Sequence, residues 1–138
     1  MSAENKALIR RWFEEVWNKG REEAIDEMFA PEGVAHGLAD ETGSPLRGPE
    51  AFKAFFRKFR DAFPDIEVSV EDTIAEDDRV AARCSVRGSH RTDALGFAAT
   101  HRAMEISGIS IVRIRNAQIV EAWNNFDFMN MFQQLGAL

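Results

Sequence analysis

The 138-residue chain has no tyrosine, one cysteine (Cys84), four prolines and no excess of basic charge. Each shortage excludes something. A single cysteine cannot form an internal disulfide or a cysteine-rich zinc site. No apolar run approaches the ~20 residues that a membrane-spanning helix needs, and Met1 to Arg11 lacks the apolar core of a signal peptide. Together these predict a reduced, cytoplasmic protein with no membrane partner. A formal net charge of −6 disfavours nucleic acid as a partner. There is no glycine-rich phosphate loop, no HExxH pair and no GxSxG elbow. The three histidines, His36, His90 and His101, lie in different segments, so the expectation is no metal site and no cofactor.

What is abundant is phenylalanine, eleven residues in all. Phenyl rings need no hydrogen-bond partner when buried, which suits a dry interior. The length fits one domain over residues 1–138; two would each be too small to bury much.

The first segment carries Ile9, Trp12, Phe13, Val16 and Trp17 at the spacing of one helix face, with Gly20 free to take a left-handed conformation after it. A second short helix from about Glu22 turns Ile25, Met28 and Phe29 inward, and Pro31 is expected to stop it. Residues 32–49, rich in Gly, Pro and small polar types, read as a loop over an opening, with a short strand at Val34 to His36. Pro49 then opens a helix whose stripe is Phe52, Phe55, Phe56, Phe59 and Phe63, ended by Pro64.

After Pro64 the period changes from 3.6 to 2. Val68, Val70 and Ile74 share one strand face. Val80, Ala82, Cys84, Val86 and His90 share another, across a turn at Asp77-Asp78. A long strand over residues 103–115 puts Ile109 and Ile111 on one side, and Ile106, Val112 and Ile114 on the other. Both sides want cover. Helices shield one, and a second copy of the chain is expected on the other, which predicts a homodimer. The turn Asn116-Ala117, a strand from Gln118 to Phe126 and a helix carrying Phe128, Met129, Phe132 and Leu135 complete the pattern. Helices followed by a long meander predict an α+β architecture, with helices packed on one face of a curved sheet.

Counting by two along the last strand puts Ile119, Glu121, Trp123, Asn125 and Asp127 on one face. If Trp123 points inward, Asn125 and Asp127 follow it towards a pocket. A carboxylate stripped of water there would have a raised pKa suited to proton shuttling. Asp127 is equally placed to cap the terminal helix, and the two roles are compatible. His90 ends an apolar strand face and is expected to point inward, as a core residue or a functional one. His36 lies in the loop segment, as a surface residue or a cavity rim. His101, beside Arg102, reads as exposed. The Phe56 and Phe59 stripe is core first and pocket wall second.

The stretches "WFEEVWNKG…EMFAPEGVAHG", "GPEAFKAFFRKFRDAFPDIEVSVEDTIAEDDRVAARCSVRGSH" and "SGISIVRIRNAQIVEAWNNFDFMNMFQQLG" resemble the SnoaL-like polyketide (ester) cyclases, over about residues 5–136. The resemblance implies a cone-shaped nuclear transport factor 2-like fold: a curved, mostly antiparallel sheet and three to four helices around an apolar pocket. It also implies cofactor-free, intramolecular aldol ring closure on a small hydrophobic, polyketide-like ester. By motif, it gives Asp127 the role of general acid/base. Trp123 and Asn125 become pocket neighbours, and His36 and His90 pocket residues; His101 falls at the cavity mouth, where such proteins usually have the glycine of a Thr-Gly pair. A second glycine of the pattern is replaced here by Ala117. On this reading Asp127 takes a proton α to a carbonyl and later returns one, while Asn125 or a protonated His90 steadies the enolate oxygen. The alternatives are a non-catalytic protein that sequesters a small hydrophobic molecule, and a hydrolase that activates water with a carboxylate.

Overall fold

A computed structural model describes residues 2–39 and 42–137. The first helix runs as α1 over Ser2–Trp12 and continues as a π-helical turn over Phe13–Asn18. All five stripe residues are buried, as their spacing requires. Asn18 then pins the turn to the edge of the sheet. Its side chain donates to the Val68 carbonyl (2.9 Å) and accepts from the Val68 amide (2.6 Å), satisfying an edge-strand residue that would otherwise lack a partner.

Helix α2 (Glu23–Met28) is shorter than expected. Phe29 is already extended and begins β1 (Phe29–Ala39), so Pro31 sits in a strand instead of ending a helix. The proline is tolerated because the ladder is interrupted between Phe29 and Val34. The segment expected to be mostly loop therefore supplies a long strand and a short one, β2 (Pro45–Arg47). Asp40 and Glu41 of that segment lie outside the described residues. Helix α3 spans Gly48–Ala62, and Phe52 and Phe56 are buried on its inner face.

Strands β3 (Glu67–Glu76), β4 (Arg79–Ser89), β5 (Ala103–Arg115) and β6 (Gln118–Phe126) follow, then α4 (Phe128–Leu135). The six described strands form one sheet in the order β2-β1-β6-β5-β4-β3, antiparallel except for the β1–β6 pair. The sheet is mixed, curved and unclosed, with the helices against one face: the α+β architecture that the pattern implied.

Two extra residues bend it. In β3, Val70 pairs with Cys84 but Asp72 pairs with Arg83, so Glu71 bulges. In β6, Ile119 pairs with Ile114 but Glu121 pairs with Arg113, so Val120 bulges. A bulge increases local twist and bends its strand. It also reverses the alternation beyond it, because side chains repeat every two residues. Ile74, expected inside, consequently lies outside, 72% exposed. In α4 the buried residues are Met131 and Leu135, while Met129 is exposed.

The two residues at which the resemblance implies glycine, His101 and Ala117, have left-handed backbones (φ 58° and 59°). Those are conformations that glycine adopts at less cost.

On the inner face, the Phe126 ring rests on the backbone of Gly108, its partner on β5. A Cβ at residue 108 would lie 2.2 Å from that ring. Gly108→Ala is therefore expected to destabilise the protein by ~1–3 kcal/mol, the usual range for overpacking, read as a lower urea midpoint at unchanged slope.

Candidate functional site

Between the helices and the concave face of the sheet lies a cavity of about 70 Å³. Its wall is aromatic and aliphatic: Trp12 and Trp17 from the first helix, Phe29 from β1, Phe52, Phe55 and Phe59 from α3, then Ile106 and Val112 from β5. The two polar residues besides tryptophan are Ser110 and Asn124, which pair across β5 and β6. The Ser110 hydroxyl donates to Asn124 Oδ1 (2.8 Å), and Asn124 Nδ2 donates to the His36 carbonyl (3.0 Å). These two bonds fix which end of the amide is which. One N–H of Asn124 is committed to β1, and the second N–H is left for a guest.

The residues expected in the pocket divide sharply. Phe59 lines the cavity, whereas Phe56 is buried in the core beside Trp17. Trp123, Asn125 and Asp127 do share one face with Glu121, but it is the outer one, because the Val120 bulge reverses the strand after Ile119. The inner set is Ala122, Asn124 and Phe126. Asp127 is exposed, and its Oδ1 accepts the Asn130 amide (3.1 Å) as the cap of α4. The placement of Asp127 inside the pocket is thus corrected, and the capping reading is the one its geometry meets. Asn125 and Asp127 border a shallow outer groove with Arg83 and Ile109.

His36 is also outward, against the expectation of a pocket residue. Its Nε2 meets Glu121 Oε2 at 2.7 Å, and its ring stacks on Trp123 (5.8 Å, 21°). Arg113 also stands over the Trp123 ring and reaches the Glu121 carboxylate. His101 is exposed, and its amide donates to the His90 carbonyl. It does not line the cavity.

His90 points inward, fully buried, but it too stands outside the cavity wall, between the rings of Phe63 (5.8 Å) and Phe97 (4.9 Å). Its Nδ1 accepts the Thr100 amide (3.1 Å), so the neutral ring carries its proton on Nε2, which has no partner. Burial pushes this imidazole below the ordinary histidine range; the Thr92 backbone partly offsets this, and His101 adds to it. Burial likewise pushes the Cys84 thiol up to about 11, leaving it unreactive at neutral pH.

Among the described residues, then, no ionisable side chain lines the cavity, and no three His, Cys, Asp or Glu side chains gather as metal ligands would. No helix of the described chain is long and apolar enough to cross a membrane. Asn124 was missed from the sequence because the strand was counted without its bulge. Its only sequence signal is that it alternates with Ala122 and Phe126, an apolar pair.

Comparison with known proteins places this site in context. Residues 7–135 match the family model of the SnoaL-like polyketide cyclases. No curated protein matches the chain. Among solved structures, the chain is similar to IdmH of Streptomyces antibioticus, a candidate polyketide cyclase. They share 31% identity with a TM-score of 0.82, over 96% of this chain and 98% of that one. TsrD of Streptomyces laurentii (24% identity, TM-score 0.84, 99% and 97% covered) shares the fold. So does a candidate SnoaL-like polyketide cyclase from Jannaschia sp. CCS1 (20%, TM-score 0.87, 99% and 94%).

His90 generates a pH prediction. Its folded pKa is depressed, so its contribution to stability is complete above the unfolded value of about 6.5 and is lost as pH falls through that value towards the lower folded one. Urea midpoints between pH 7.5 and 5 should fall for the wild type and fall less for His90→Gln.

Proposed function

Because the chain belongs to the SnoaL-like polyketide cyclase family, we propose that it folds a small, neutral, polyketide-like ester into the cavity and promotes its cofactor-free, aldol-type ring closure. The observation that carries this is the lone polar pair, Ser110 and Asn124, on an otherwise apolar wall. A charged ligand would find no counter-ion there, and burying an unpaired charge is costly. A carbonyl oxygen would find one fixed N–H.

The chemistry follows from what the site holds. Hydroxide entering from solvent at the half-buried Asn124 takes an α-proton flanked by two carbonyls, giving water and an enolate. The enolate oxygen that forms accepts the second N–H of Asn124, and Ser110 acts as a positioning residue that holds the amide in that orientation. The enolate carbon then attacks the distant carbonyl of the same molecule. One C–C bond forms, and the new alkoxide takes a proton from water, so no net proton is consumed. The wall contributes by holding the chain bent, turning an encounter into a bound geometry, and the amide by meeting charge as it develops. This replaces the Asp127-centred scheme, whose carboxylate faces solvent on the other side of the sheet.

The absence of an ionisable group among the described lining residues favours one second reading: a protein that sequesters the same kind of molecule without transforming it. A single assay separates the two. Linear β-dicarbonyl esters are incubated with protein and the ring-closed product is followed by liquid chromatography and mass spectrometry. Asn124→Ala should slow product formation by about 100-fold, as for loss of one oxyanion donor. Ser110→Ala should slow it less, by roughly tenfold, and Asp127→Asn, which keeps the cap, should be unchanged. Saturable binding with no product above buffer rejects ring closure and leaves the binder.

The outer face of the sheet supports a further part of the reading, association with a second copy. Ile109 and Ile111 are 46% and 40% exposed there, beside Trp123. Burying such a patch is the usual use of exposed apolar surface. Ile111→Glu is expected to turn a dimer into a monomer in sedimentation velocity; an unchanged mass would reject the pairing.

A further inference from the structure

The cavity's wall is buried almost everywhere. Among its lining residues, those that keep half-exposed side chains are Phe55, Phe59, Asn124, Phe126 and Phe128. Four phenyl rings and the one amide therefore mark where the hollow meets solvent. The rings form a continuous chain across the gap between α3 and α4: Phe55 to Phe59 (4.7 Å), Phe59 to Phe128 (5.8 Å, 50°) and Phe128 to Phe126 (6.4 Å). The backbones of α3 and α4 scarcely approach each other, and the Phe59–Phe128 ring contact spans the gap between them.

The hollow, about 70 Å³, is roughly half the ~150 Å³ of an engineered apolar cavity that admits benzene. Ligand sites for drug-sized molecules run to some ~300–1,000 Å³. The hollow as it stands cannot hold the ester of the preceding reading without moving part of its wall. The deep wall resists this: Trp12, Trp17, Phe29 and Phe52 are buried in mutual ring contact. The half-exposed rings can swing outward by side-chain rotation, and no hydrogen bond breaks, since phenylalanine makes none.

We propose that Phe59 and Phe128 are a gate: ligands reach the hollow by passing between α3 and α4 when this ring pair parts, and the pair sets the size of what is admitted. The inference rests on the cavity being the binding site, and on no claim about turnover. A neutral guest suits the passage, because the lining at the mouth carries no charge. Its polar end comes to rest at Asn124, which stands at the same opening.

A gate and a plain wall differ in kinetics. Removing a wall contact weakens the complex, so only dissociation quickens. Removing a gate lowers the barrier in both directions, so association and dissociation quicken together. Stopped-flow fluorescence with the neutral probe N-phenyl-1-naphthylamine reads both rates. Phe128→Ala and the milder Phe59→Leu and Phe128→Leu, which guard against loss of fold, are each compared with Phe52→Leu in the deep wall. The expected result is association at least tenfold faster for Phe128→Ala, at least threefold faster for the leucine variants, and unchanged for Phe52→Leu. Association within twofold of the wild type in all gate variants would overturn the proposal, as would failure of any variant to bind the probe. Probe binding without ring closure of the esters would sink the proposed reaction alone and leave the gate standing.

Discussion

The curvature of the sheet is the constraint from which the rest follows. A flat sheet would press its apolar face directly on α1 and α3 and leave no hollow. Two single-residue bulges, Glu71 in β3 and Val120 in β6, supply local bending and also decide which side chains stand on the concave side. The same extra residue that helps make the chamber chooses Asn124 to face it and turns Asp127 away.

The chamber is dry for a compositional reason. With no tyrosine, its aromatic wall has no hydroxyl to satisfy, and rings can line a void or slide past one another without breaking a polar bond. The cost of such a wall is that it orients nothing. Orientation falls to one amide, held from two sides by Ser110 and the His36 carbonyl. On the far side of the sheet the arrangement is opposite: His36, Glu121, Arg113 and Trp123 form a partly exposed polar and aromatic cluster. One sheet separates a site with almost no electrostatics from a surface rich in them.

Helices α1 and α3 were legible because their evidence is local. The stripes of α1 and α3 repeat every three to four residues, and nothing distant alters that period. Strands β4 and β5, which pair with each other without a register shift, were equally legible, and His90 was correctly placed inside. Ile74 and the Trp123–Asp127 face failed together, for one cause: a bulge is fixed by partner strands and leaves no mark in a run of alternating residues. The residues standing where such proteins carry glycine, His101 and Ala117, both take left-handed backbones. Whether an aromatic stripe fills its space or surrounds a hollow was not readable, since packing against other elements decides it.

Val120 has a consequence for ancestry as well as for shape. Absorbing it into the regular ladder would run the alternation unbroken from Ile119 through Val120, so that the carboxylates and the indole now outside would be dealt to the chamber and the amide to the exterior, whereas deleting it would leave Ala122, Asn124 and Phe126 where they stand. In a lineage built on this scaffold, reaction chemistry can therefore be exchanged wholesale by forming or flattening one bulge in the last strand, and a count that runs through the bulge assigns the wrong side chains to the interior.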